Sequence, residues 1–266
     1  MSGGLNMKRT PITLDPQTFP SIFQPILQGA PVYDSSCSPQ ARVWYIEKDG
    51  GMYLKTSARG SLSREAEMTA WFHGKGLSAQ VLAYESCDAD WLLTRAVPGE
   101  DCISPKYLDD PKRLSEMLGI LLRRLHETPT DGCPILRTQE YIAAAEENYH
   151  AGRYDASLFP DNWGYRCPED AWADVQLAAP QLKADTLIHG DYCLPNLLLE
   201  DWRFSGFIDL GNAGIGDRHM DLFWGAWTLW FNLKTDAWCS RFLDAYGRDQ
   251  IDPELLRSIA AFEVFL

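Results

Sequence analysis

A chain of 266 residues with 45% hydrophobic, 12% aromatic and 23% charged side chains has the material for one large domain or two lobes with a sizeable core. That balance excludes a disordered, collagen-like or disulfide-scaffold protein. Lys and Arg number 24 against 37 Asp and Glu, and the net charge of −13 argues against a nucleic-acid partner and suits a cationic or neutral small one.

The first ten residues lack the apolar run of a secretion signal, with Ser2-Gly3-Gly4 as a frayed start and Met7 as an alternative initiator. From Val32 the text reads as strands and turns. Arg42-Val43-Trp44-Tyr45-Ile46 and Met52-Tyr53-Leu54-Lys55 are β-rich and flank the turn Asp49-Gly50-Gly51. Residues 63–73 read as a helix with Met68, Trp71 and Phe72 able to share a face, ended by Gly74 and Gly76. Residues 81–85 and 90–94 form a second strand pair before Val97-Pro98-Gly99 interrupts it. The remainder is mainly helical, beginning with the leucine stripe of residues 112–126 closed by Pro129. Short strands return at 186–188 and 204–208, and helices start near Met220 and Pro253. The expected architecture is α+β and bilobal: a β-rich N-lobe with one main helix (1–96) and a mainly α-helical C-lobe (97–266).

The seven cysteines have no C-x-x-C spacing and lie in core-like text, which reads as buried free thiols in a reducing, cytoplasmic setting. Residues 222–231 are the greasiest run but reach only half a bilayer, so no membrane partner is expected. The stripe Trp224, Trp227, Trp230 and Phe231 is read as core in preference to a ligand platform.

The densest chemistry lies between His189 and Asp221. Asp191 follows a short apolar strand, Asn196 comes five residues later, and Asp209 follows the next strand. A carboxylate that orients an attacking hydroxyl, with an amide and a second carboxylate as hard oxygen ligands for Mg²⁺, suits phosphoryl transfer. His189-Gly190-Asp191-Tyr192-Cys193-Leu194-Pro195-Asn196 resembles the H-G-D-x-x-x-x-N loop of aminoglycoside phosphotransferases, relatives of the protein kinases. Ile208-Asp209-Leu210-Gly211 is similar to their D-x-G, and Phe204-Ser205-Gly206-Phe207-Ile208-Asp209 is nearest in wording to the 3'-phosphotransferase branch.

The resemblance implies a protein-kinase-like fold and a set of roles. Lys55 holds the α- and β-phosphates of ATP, with GTP as the other option, and Glu65 is its ion-pair partner, with Glu67 as the rival. Ser36 and Ser38 lie in the phosphate-covering loop, Tyr53 lies near the purine, and the hinge Thr94-Arg95-Ala96-Val97 offers its backbone to adenine. Asp191 is the catalytic carboxylate, and Asn196 and Asp209 hold Mg²⁺. The acceptor is expected to be a cationic aminoglycoside, met by Asp161, Glu263 and Phe265, and the protein to be a monomer or weak dimer. His189 is expected to brace the loop, His126 to pack beneath it, and Asp221 to accept backbone or histidine donors. Three departures fall in the drug pocket: Asn212 where the branch usually has arginine, Phe262 where a second terminal acid is expected, and a less acidic Pro160-Asp161-Asn162-Trp163-Gly164. They leave open a kinase for another amino-alcohol or sugar. A nucleotide-binding pseudokinase is a further alternative. So is a metal-dependent hydrolase built on His189, Asp191, Asp209, His219 and Asp221, though it leaves Lys55, Glu65 and Asn196 unexplained.

Overall fold

The computed structural model describes residues 9–154 and 164–266. In chain order the elements are β1 (Thr10–Ile12), α1 (Gln24–Leu27), β2 (Val32–Asp34), β3 (Arg42–Ile46), β4 (Met52–Ala58), α2 (Ser63–Gly74), β5 (Val81–Ser86), β6 (Ala89–Arg95), β7 (Glu100–Asp101) and α3 (Pro105–Leu108). They continue with α4 (Pro111–His126), α5 (Thr138–His150), α6 (Pro168–Ala178), β8 (Thr186–Ile188), β9 (Leu197–Glu200), β10 (Arg203–Phe207), β11 (Gly214–Gly216), α7 (Arg218–Leu233), α8 (Cys239–Tyr246) and α9 (Pro253–Glu263). Packing divides the chain into two units, one running to Tyr107 and taking in Pro195–Gly211, the other comprising Leu108–Leu194 and Asn212–Leu266. The break expected at residue 96 therefore differs from the packing, which adds the segments around β7, β9 and β10 to the first unit.

In the first unit β1-β2-β3-β4-β6-β5 form one antiparallel sheet. Side chains alternate across it. Trp44, Ile46, Met52, Leu54 and Leu93 face a core closed by Phe19, Phe23 and Leu27. Tyr53 and Lys55, one step out of phase with Leu54, point to the other side, where Leu62 and Ala66 at the start of α2 pack on Leu92. β1 carries no strand signal of its own and forms by pairing with β2.

Asp90 ties α2 to the sheet. Its Oδ2 accepts the Leu62 N–H at 2.9 Å and its Oδ1 the Ser86 hydroxyl at 2.7 Å. Burial disfavours the charge, but the Gly60 and Leu62 amides with the Ser86 and Tyr84 hydroxyls outweigh it and hold the carboxyl down at about 2. A carboxyl depressed on folding adds stability above its unfolded value of roughly 4, and that stability drains away as pH falls toward 2. Asp90→Ala strands these donors and is expected to cost about 3 kcal/mol at neutral pH. Denaturant titrations at pH 7 and pH 3 check it, since the difference between wild type and variant should shrink at the lower pH.

The three-stranded sheet β10-β9-β7 completes the unit. Gly99 (φ 98°) runs so close to it that a Cβ would sit 2.2 Å from the Leu199 carbonyl oxygen, which is why the strand pattern breaks at a glycine. The Phe207 N–H donates to the Leu77 carbonyl at 2.8 Å and fixes where the chain leaves β10 for Asp209.

The second unit is helical around one short pair, β8 with β11, whose register sets Ile188 opposite Gly214. Leu114, Leu118, Leu121, Leu122 and Leu125 of α4 are buried, as their spacing predicts. Among the described residues no helix is long and apolar enough to cross a membrane.

Two expectations about burial need correction. None of the seven cysteines is in a disulfide, but Cys37 and Cys87 are exposed and only Cys102 is buried, because several of them sit in turns. The aromatic stripe of α7 is core only in part: Trp224 and Trp227 are half-buried, Trp230 and Phe231 are 40% and 46% exposed, and Leu222, Thr228 and Leu229 supply the inward face.

Candidate active site

Lys55 lies mid-strand in β4 with its ammonium between two carboxylates. Nζ is 2.7 Å from Glu65 Oε2 and 2.7 Å from Asp209 Oδ1. Burial works against the charged lysine, yet Asp209 and Glu65 outweigh it and raise its pKa. Burial likewise pushes the Glu65 carboxyl up, with Lys55 pulling it back. Glu65 shares the buried face of α2 with Met68, Thr69 and Phe72, whereas Glu67 is exposed, so Glu65 and not its rival is the partner.

Asp209 holds a left-handed backbone at φ 60°, a conformation aspartate tolerates better than most residues. Its side chain is 53% exposed, so one carboxylate is open to solvent while engaged by Lys55. Asn196 is buried at the head of β9, and its carbonyl accepts the Ile208 N–H at 3.0 Å, one residue from Asp209. Amide and carboxylate are thus neighbours on paired chain segments.

The other residues expected around a nucleotide are in the same unit. The Ser36 hydroxyl accepts the Val43 N–H at 3.0 Å and closes the turn from β2 to β3, whereas Ser38 is exposed at its tip. Tyr53 accepts a hydrogen bond from Arg9 at 2.9 Å, and that guanidinium lies 3.6 Å over the Tyr45 ring. At the hinge, the Arg95 N–H goes to Gln80 and the Ala96 N–H to Gly51, both carbonyls. Val97 packs where Gly206 leaves room, a Cβ there coming within 3.1 Å of it.

In the second unit the loop after β8 is braced from below. Asp221, fully buried, accepts the His189 N–H and the Gly190 N–H, each at 2.7 Å. It also receives His126 Nε2 at 3.2 Å, and His126 Nδ1 meets the Tyr246 hydroxyl at 2.8 Å. Asp221 only accepts, so Nε2 carries the proton and Tyr246 donates to Nδ1. Burial lowers the His126 pKa and keeps the ring neutral in spite of Asp221. Gly190 (φ 79°) is obligatory, since a Cβ would lie 2.0 Å from the Asn212 carbonyl oxygen. Tyr192 donates to the Leu118 carbonyl at 2.9 Å and the Leu194 N–H to Thr228 Oγ1 at 3.2 Å, pinning the loop to α4 and α7. Asp191 stands half-buried on this platform. Burial, then the charge of Asp191 and a hydrogen bond to its carboxylate, push the Cys193 thiol up, so it stays protonated as a donor.

Glu263, the last residue of α9, belongs to this unit. Its Oε1 accepts the Tyr141 hydroxyl at 2.8 Å and Trp224 Nε1 at 3.2 Å. Burial pushes its carboxyl up to about 7, the two donors oppose that, and the charge of Asp191 adds to it. Phe265 does not meet the expectation of a ring facing substrate: it is 1% exposed among Tyr149, Tyr154 and Trp172, because the turn that follows α9, closed by the Phe265 N–H on the Phe262 carbonyl, directs the ring into the core. Asp161 lies outside the described residues.

The residues proposed for a metal hydrolase have other tasks. His219 Nε2 accepts the Asp252 N–H at 2.9 Å, which leaves Nδ1 to donate to Asp217 at 2.7 Å. Asp221 is spent on backbone donors, and among the described residues no three His, Cys, Asp or Glu side chains gather as a metal site. Three positioning residues escaped the sequence reading: Asp90, Tyr141 and Trp224. Each acts on a partner 28 to 122 positions away, and no local spacing announces that.

The model of the phosphotransferase enzyme family matches residues 39–260. A probable aminoglycoside 3'-phosphotransferase of Lactococcus lactis is 44% identical over 98% of this chain and 99% of its own length. An aminoglycoside 3'-phosphotransferase of Streptomyces fradiae is 30% identical over 86% of this chain and 88% of its own. The crystal structure of an aminoglycoside 3'-phosphotransferase of type VIII aligns with TM-score 0.71 and 25% identity, over 90% of this chain and 94% of that one. Since the matched stretch takes in both the lysine strand and the histidine-led loop, the chain belongs to the phosphotransferase enzyme family and has its α+β, protein-kinase-like fold.

Proposed function

We propose that the protein transfers the γ-phosphate of ATP to the 3'-hydroxyl of an aminoglycoside. The observation that carries this reading is the Lys55 ammonium held at 2.7 Å by both a helix carboxylate, Glu65, and the D-x-G carboxylate, Asp209. The lysine–glutamate half of this arrangement is the pair on which kinase-type phosphoryl transfer relies to set phosphates in place.

In this reading Lys55 takes the α- and β-phosphates while Glu65 keeps its chain extended. The Ser36–Ser38 turn covers the phosphates, Tyr53 faces the purine, and the Arg95–Val97 hinge offers backbone to its edge. Asn196 and Asp209 supply two hard oxygen donors, a set that fits Mg²⁺, whose remaining ligands are phosphate and water. Asn196 and Asp209 would hold the ion, which would supply positive charge to offset that of the phosphates. Asp191 receives the acceptor hydroxyl, orients it and takes its proton, and little more is asked because the transition state is loose. Glu263 meets an acceptor ammonium. The cysteines, none of them in a disulfide, accord with a cytoplasmic setting.

Incubation of the purified protein with MgATP and kanamycin should add one phosphoryl group to the drug, with NMR placing it at the 3'-oxygen. Phosphorylation of an amino-alcohol or simple sugar in preference to every aminoglycoside tried would reject the acceptor. Glu263 makes the affinity depend on pH. Its carboxyl is mostly protonated below about 7, and a cation binds the ionised form, so affinity rises as pH climbs through 7. Kanamycin KM measured from pH 6 to 8 should fall more steeply for wild type than for Glu263→Gln, and parallel profiles would remove Glu263 from the pocket.

A further inference from the structure

Helix α7 carries an aromatic ladder on its outer side. Trp224, Trp227 and Phe231 recur at intervals of three and four and share one face. Trp224 meets Trp227 edge-on at 5.2 Å, and Trp227 stacks on Phe231 at 4.8 Å with planes 13° apart. Trp230 flanks them; Trp224 and Trp227 are half-buried while Trp230 and Phe231 are exposed, and large aromatics reaching the surface side by side mark a binding surface. The two ends of the ladder differ. At one, Trp224 Nε1 donates to the Glu263 carboxylate, which feels the charge of Asp191. At the other, the Lys234 ammonium stands 4.2 Å from the Phe231 ring centre, so this face already holds an alkylammonium. A chain of net charge −13 presents such a strip to cations and not to an anionic lipid surface or acidic peptide.

We propose that the ladder is the outer wall of the acceptor site, where the rings of a multi-ring amino-sugar beyond the phosphorylated one stack their C–H faces on the indoles and rest their ammonium groups over them. This rests on the aminoglycoside reading above and extends it from the acid at Glu263 to a surface of different chemistry. It also accounts for the Trp224–Glu263 hydrogen bond, which holds the first rung against the anion that draws the substrate in. One exposed cation–π contact is worth a few-fold in affinity, so two or three give roughly tenfold.

The test compares kanamycin, with three rings, and neamine, with two, as acceptors for Trp227→Ala, Phe231→Ala and Trp227→Phe. Trp227→Ala is expected to raise kanamycin KM about fivefold and neamine KM less than twofold, with ATP KM and melting temperature unmoved. Trp227→Phe keeps a π-face and should recover most of the loss. Kanamycin alone should quench tryptophan emission in wild type, and less in Trp227→Phe. Kanamycin KM within twofold of wild type in both alanine variants overturns the wall while the acceptor reading stands. An altered oligomeric state with unchanged KM overturns it in favour of contact between copies. If wild type phosphorylates no aminoglycoside, the acceptor reading itself fails, and an absent fluorescence response then removes the wall as well.

Discussion

Asp191→Asn is expected to lower kcat by roughly 10² to 10⁴-fold while KM for ATP shifts less than twofold. The substitution preserves shape, and the loop beneath is held by groups it does not touch: Asp221 on the amides of His189 and Gly190, Tyr192 on Leu118, and Thr228 on Leu194. What disappears is the negative oxygen that, in the proposed role, accepts the hydroxyl proton and aims the lone pair. An amide in its place can present N–H to the nucleophile, so orientation suffers as much as basicity. Lys55, Glu65 and Asp209 are untouched, hence the small change expected for nucleotide. Steady-state ADP release with saturating kanamycin checks this, and turnover within tenfold of wild type would reassign the role of Asp191.

Asp221→Ala should have the largest effect on stability, about 3 to 5 kcal/mol, or roughly 10 °C in melting temperature. The carboxylate is fully buried and satisfies two amides and an imidazole at once. Its removal leaves three buried donors facing a void. Asp221→Asn should be milder, keeping one acceptor oxygen while turning an NH₂ group toward groups that also donate. Differential scanning calorimetry reads the loss, and kcat of whatever remains folded should fall too, since the backbone below Asp191 loses its strut. A melting temperature within about 3 °C of wild type would show that Tyr192 and Thr228 hold the loop unaided.

Much of this was legible from residue order because the chemistry is packed into short strings. Residues 189 to 196 and 208 to 211 carry their own spacing, and alternation in Met52-Tyr53-Leu54-Lys55 puts lysine on the face opposite the core. The choice of Glu65 over Glu67 was also available, since Glu65 lies three and seven positions before Met68 and Phe72, the buried stripe of α2. Other features follow a logic that periodicity does not carry. The ladder on α7 reads as core because both faces of that helix are apolar, and only packing shows which one is covered. Phe265 reads as pocket because it lies near Glu263 at the end of the sequence, yet two residues beyond the helix its ring turns into the core while the Glu263 carboxylate meets Tyr141. Asp90, Tyr141 and Trp224 hold distant partners and leave no local mark.

The neutral His126 beneath the loop sets an acid limit on the enzyme. Once unfolded, the imidazole takes up a proton near its ordinary value of 6.5, whereas the native ring resists it. Above that pH the two states are balanced in this respect, and below it each step of acidification favours the unfolded chain. His126 by itself therefore weakens the fold as pH drops below about 6.5, and Glu263 opposes it, because its raised carboxyl takes up a proton in the folded chain before it would in the unfolded one.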